Sequence, residues 1–149
     1  MKIKINIQRA TKTSGLPSNL RIRRWVCAAL ADCADNMELT IRMVGAKEAA
    51  RLNWTWRRKK RPANVLSFPA GNMPKIKPGL LGDIVLCAPV IAKEARQQGK
   101  SLGAHWAHMI IHGTLHLMGY DHKKTAETRK MEGLERKLIT LMGFTDPYQ

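Results

Sequence analysis

The chain has 149 residues, 44% hydrophobic and 25% charged, the balance of an ordinary globular protein, and the expected organisation is one domain over residues 1–149. The longest apolar run, Val85–Ala92, is broken by Pro89 and is too short to span a bilayer, and MKIKINIQRA lacks the apolar block of a secretory signal, so the expectation is a cytoplasmic protein with no membrane partner. The net charge of +15 argues for a polyanionic partner, nucleic acid being the commonest.

Ile3, Ile5 and Ile7 alternate with polar residues and predict a half-buried strand. Pro17 and Ser18 open a helix whose buried face is Ile22, Trp25, Val26, Ala29 and Cys33. Met37, Leu39, Ile41 and Met43 alternate again as a second strand, and Ala46 to about Trp54 reads as a short helix. Val65–Phe68 is a short strand after Pro62. Residues 69–82 hold three prolines and three glycines and read as a loop. Asp83–Cys87 is a fourth strand, and Pro89 stands where proline commonly starts a helix, here one reaching about Gln98. A strongly apolar helix follows over about Leu102–Met118. The last helix, about Lys124–Leu141, carries Met131, Leu134, Leu138 and Leu141 on one face. The order β-α-β-α-β-β-α-α-α predicts an α/β (α+β) fold. It has one small mixed sheet of about four strands, about five covering helices, and the Leu102–Met118 helix at the centre. Cys27, Cys33 and Cys87 form no C-x-x-C pair and sit among apolar neighbours, as buried free thiols in a reducing compartment do.

Residues 112–122, HGTLHLMGYDH, carry the strongest chemical signal. His112 and His116 lie four apart and project from one helical face. Gly119 can take the left-handed conformation that ends a helix, and the turn brings His122 back. Three imidazoles with no fourth protein ligand describe a catalytic site, zinc by ligand type. His108 and His116 stand about 12 Å apart along a straight helix, too far to bind one ion at about 2.1 Å each. His108 is therefore read as a supporting or packing residue, and His105 as surface or structural. The spacing follows the long zinc-protease pattern H-E-x-x-H-x-x-G-x-x-H, except that Gly113 replaces the glutamate that serves as general base. Peptidase chemistry is thereby disfavoured. Asp121, beside His122, is read as a local cap or an acceptor behind the metal.

The charge is uneven. Residues 1–100 hold 20 Lys and Arg against 6 Asp and Glu, whereas residues 101–149 hold 6 against 5. The excess peaks in the run Arg57, Arg58, Lys59, Lys60, Arg61, preceded by Trp54 and Trp56. Basic groups neutralise phosphates and aromatic faces stack on unpaired bases, but a tryptophan at the end of a short helix is more often part of the core.

Four blocks taken together, LNWTWRRKKRPANVLSFP (52–69), LLGDIVLCAPVIAKEA (80–95), AHWAHMIIHGTLHLMGYDH (104–122) and MGFTDPY (142–148), resemble the YbeY family of bacterial metal-dependent endoribonucleases. The resemblance implies a zinc-type centre on His112, His116 and His122, and a functional Arg57 following the N-x-x-aromatic pattern that begins at Asn53. It implies single-stranded and ribosomal RNA as substrate, 3′-end processing of 16S ribosomal RNA and ribosome quality control as roles, and ribosomal proteins and the Era GTPase as partners. Arg58, Lys59, Lys60 and Arg61 are further RNA-contact candidates. The chain departs from many members at Lys60, where they carry an acidic residue, at Ala63, where they carry threonine, and in being more basic overall.

The residues suit that chemistry. Zinc on three neutral imidazoles lowers the pKa of its water to about 7 without a glutamate base, which gives the ligand His112 a catalytic part. A guanidinium such as Arg57 is well suited to the charge that builds on phosphoryl oxygens. Two rival classes are a peptidase-like zinc hydrolase of another substrate and a non-catalytic, ribosome-associated RNA-binding protein with a structural metal.

Overall fold

The structure, a computed structural model, describes residues 2–31, 36–71, 79–120 and 125–148. Nine elements follow in chain order: β1 (Ile3–Ala10), α1 (Asn19–Ala29), β2 (Met37–Val44), α2 (Ala46–Arg57), β3 (Val65–Pro69), β4 (Leu80–Cys87), α3 (Ala88–Gln97), α4 (Leu102–Leu117) and α5 (Thr125–Leu141). The four strands form one mixed sheet in the order β1-β2-β4-β3. β1, β2 and β4 are parallel, and β3 is an antiparallel edge strand on β4. This is the α+β architecture expected from the sequence.

The period-two pattern sorts the sheet into two faces. Leu39, Ile41, Met43, Ile84 and Leu86 enter the main core with Ile22, Trp25, Val26 and the apolar residues of α4. Val85, Cys87 and Leu66 point the other way, into a smaller cluster with Ala49 of α2. Helix α4 lies against α1, α3, α5, β3 and β4, and every residue from His105 to Ile111 is buried. Ser18 and Ser101 cap α1 and α4 by accepting from the amides of Arg21 (3.3 Å) and Ala104 (3.1 Å), and a proline lies in the first turn of α3.

Three boundaries differ from the sequence reading. β4 begins at Leu80 rather than Asp83, and β3 reaches Pro69, so both ends of the expected 69–82 loop belong to strands. Gly82 pairs with Pro69 and Leu39 at φ 134°, where a Cβ would lie 2.1 Å from the Phe68 carbonyl oxygen. A residue type read as a loop marker is thus a close-approach position inside a strand. α2 runs three residues beyond Trp54, so Arg57 belongs to its last turn. Arg58, at φ 56°, ends the helix with its amide on the Trp54 carbonyl (3.0 Å). In α5 the buried residues are Met131, Glu135, Leu138 and Ile139; Leu134 is half-buried and Leu141 is exposed. The expected apolar face is rotated because a carboxylate occupies its centre. Cys87 is buried and Cys27 half-buried, both unbridged; Cys33 and Lys124 lie outside the described residues.

Candidate metal centre and RNA-facing cleft

Helical spacing stacks His105, His108, His112 and His116 along α4. The imidazoles of His112 and His116 turn toward each other, with their Nε2 atoms 3.1 Å apart. The nitrogens of two ligands on a tetrahedral ion with bonds of about 2.1 Å lie roughly 3.4 Å apart, so this pair fits two positions of one coordination sphere. Helix α4 ends just beyond: Gly119, at φ 102°, places its amide 3.0 Å from the His116 carbonyl, and the Tyr120 amide lies 3.2 Å from that of Leu115. The expected third ligand, His122, and its neighbour Asp121 lie outside the described residues.

Behind His112 stands a group that the sequence reading missed. Glu135 of α5 is fully buried and accepts a hydrogen bond from His112 Nδ1. Its other oxygen accepts from the Tyr148 hydroxyl and lies 3.4 Å from His108 Nε2, itself 3.3 Å from that hydroxyl. Burial alone would raise the Glu135 pKa, but the hydrogen bonds from His108, His112 and Tyr148 outweigh it and bring it to about 2. Burial and the adjoining carboxylate raise the Tyr148 phenol above its usual value, so it stays protonated and donating. An ionised carboxylate on Nδ1 fixes the His112 proton there and turns the Nε2 lone pair toward His116, as a carboxylate behind a metal-binding histidine does. Glu135 carries one signal in the sequence: it sits on the apolar stripe of an amphipathic helix.

His108, His112 and Glu135 also form a group whose donor atoms lie within 4.8 Å of one another and could hold an ion. All three are already joined by hydrogen bonds in a buried setting, whereas the Nε2 atoms of His112 and His116 meet where His116 lines a cleft. His105 is buried and structural: its Nε2 lies 2.9 Å from Glu94 of α3, and burial lowers its pKa against the opposing pull of that carboxylate.

Gly113 has a packing reason. A Cβ there would lie 2.8 Å from Ile84 Cγ2 and 3.3 Å from both Ser67 Oγ and Val65 Cγ2, and the Ser67 hydroxyl donates to the Gly113 carbonyl at 3.2 Å. Helix α4 approaches β3 and β4 too closely for the glutamate of the protease pattern.

Arg57, at the end of α2, lines a cleft of about 340 Å³ with Ser67, Pro69, His116, Gly119 and Tyr120. A second cavity, of about 410 Å³, places Arg57 beside Lys59 and Arg61. Arg57 thus stands between a basic pocket and the histidine pair. Arg58 lies 5.5 Å from the Trp54 ring, and Lys60 is exposed. Trp54 and Trp56 are 45% and 66% exposed, so neither is the core residue that its place near a helix end led us to expect.

The family model for the endoribonuclease YbeY matches residues 6–143. The chain belongs to the YbeY endoribonuclease family. Its class of activity is therefore RNA cleavage in ribosomal RNA processing. The solution structure of TM1509 from Thermotoga maritima has the same fold, with a TM-score of 0.62 and 22% identity over 97% of this chain and 99% of that one. Among the described residues, no helix is long and apolar enough to cross a membrane.

Proposed function

We propose that the chain, acting as one catalytic domain over residues 1–149, is a metal-dependent endoribonuclease specific for single-stranded RNA. It would mature the 3′ end of 16S ribosomal RNA and serve ribosome quality control in the cytoplasm, with ribosomal proteins and the Era GTPase as partners. The observation that carries this reading is the shared cleft of Arg57 and His116, which sets a guanidinium beside a pair of imidazoles in a chain of this family. His112, His116 and His122 would hold the ion, and the all-nitrogen donor set favours zinc. When bound, such an ion supplies a Lewis acid and an acidified water.

The chain's own residues do the rest. Glu135 holds the His112 proton on Nδ1 and keeps Nε2 available as a donor to the ion. Arg57 reaches phosphoryl oxygens with a planar fork whose hydrogen bonds strengthen as charge develops in the transition state. Arg58, Lys59, Lys60 and Arg61 neutralise flanking phosphates, and Lys59 and Arg61 share their cavity with Arg57. Gly113 leaves no carboxylate at the position of the protease base, which disfavours peptide hydrolysis.

The deciding experiment gives homogeneous protein a 5′-labelled single-stranded RNA, its duplex and casein, each with and without a chelator. Chelator-sensitive cleavage of the single strand alone is expected. Proteolysis would support a peptidase-like enzyme, and RNA binding without cleavage would support a non-catalytic protein.

A further inference from the structure

A second-face cavity lies away from the histidines, on the side of the sheet opposite α4. It has a volume of about 620 Å³ between α2 and the sheet, and its lining includes Trp56 and Phe68, whose rings pack edge to face with centroids 5.7 Å apart. Thr40 and Asp83, paired across β2 and β4, line its floor. Arg42, its one basic lining residue among the described residues, is already paired with two other lining residues. Its Nε and Nη2 donate to Glu48 at 2.6 and 2.9 Å, and Nη1 donates to Gln8 at 2.9 Å. With two carboxylates, Glu48 and Asp83, against one paired guanidinium, the pocket repels phosphate. It offers instead a largely exposed indole and hydrogen-bonding groups.

Its position says what reaches it. Ser67 and Pro69 of the edge strand line both this pocket and the Arg57–His116 cleft, and Trp56 immediately precedes Arg57. A single strand whose phosphate sits at Arg57 would bring a flanking base over the edge of β3. Unpaired bases stack on aromatic side chains irrespective of charge, and a carboxylate accepts from an exocyclic amino group.

We propose that this pocket is a nucleobase subsite, in which Trp56 stacks on an unpaired base flanking the scissile phosphate and Asp83 accepts a hydrogen bond from its amino group, favouring adenine, cytosine or guanine over uracil. The proposal rests on the RNA-cleavage reading above and adds a second binding element, chemically unlike the basic run.

The test mixes metal-loaded protein in a stopped-flow instrument with single-stranded RNAs carrying 2-aminopurine at one position at a time. Quenching at one position, preceding cleavage, is expected in the wild type and is lost in Trp56→Ala, which also raises the half-saturating concentration by about ten-fold. Trp54→Ala, outside the cavity, keeps the quench. Placing uridine at the quenched position weakens wild-type binding, and Asp83→Asn flattens that preference. Both substitutions are on exposed side chains, and unchanged metal content and circular dichroism confirm the fold. Cleavage with no positional quench, or with Trp56→Ala matching the wild type, overturns the subsite and leaves the function standing. Wild-type quenching in Trp56→Ala together with lost binding to a basic ribosomal protein assigns the pocket to a protein and also overturns it. Absence of both cleavage and quenching in the wild type overturns the functional reading, and the subsite with it.

Discussion

Replacing Glu135 by glutamine keeps its volume and removes its charge. Three donors converge on two carboxylate oxygens, His112 Nδ1 on one and the Tyr148 hydroxyl and His108 on the other. A glutamine offers one oxygen. If it serves His112, its amide nitrogen faces Tyr148 and His108; if it serves them, the His112 proton is no longer held on Nδ1. Either way one charge-assisted bond is lost and one buried group is mismatched, a cost of roughly 1–3 kcal/mol. Urea unfolding of the metal-free protein should show that loss. The sharper readout is metal affinity, which should fall by about 10–100-fold in a chelator competition because the His112 tautomer is no longer fixed. Tyr148→Phe separates positioning from packing. It removes a donor from the far oxygen only, so stability drops while metal affinity stays within about three-fold of the wild type. Wild-type affinity in Glu135→Gln would refute the claim that the carboxylate orients the ligand.

Arg57→Ala should lower the single-turnover cleavage rate at saturating RNA by about 10²-fold, a loss of roughly 2.7 kcal/mol, with metal retained. Lys59→Ala should weaken binding alone, and Arg57→Lys should rescue only in part; equal, binding-only defects at 57 and 59 would return Arg57 to the general basic surface. Gly113→Ala should destabilise the fold by about 1–3 kcal/mol in urea unfolding, because the added methyl meets Ile84, and Gly113→Glu should fold worse still without gaining proteolysis. RNA affinity should fall steeply between low and moderate salt through counterion release, and a flat salt profile would mean that the basic run is not the RNA footprint.

Much of the fold was legible because several elements carry local signatures. The alternation of Ile3, Ile5 and Ile7, Ser18 before α1 and Pro89 in the first turn of α3 each specify an element with nearby residues alone. The histidine pair was legible for the same reason, since four-residue spacing is a property of one helix. What was hidden depends on partners distant in sequence. Leu80–Gly82 is a strand because β2 and β3 lie on either side of it, and its glycine is a packing requirement. Glu135 looks like one more surface charge of α5 until α4 and Tyr148 are brought against it. The exposure of Trp54 and Trp56 could not be read from helix periodicity, because it depends on how α2 sits against β4 and α3, which are distant in sequence.

The most direct test of the central claim is His116→Ala, assayed for bound metal and for cleavage of a single-stranded RNA in the same homogeneous preparation. The wild type should carry about one transition-metal ion per chain by elemental analysis and cleave the RNA. The variant should keep its fold by circular dichroism while losing both the ion and the activity. Wild-type cleavage by a His116→Ala protein, or full metal occupancy in it, would contradict a metal centre built on the His112–His116 pair.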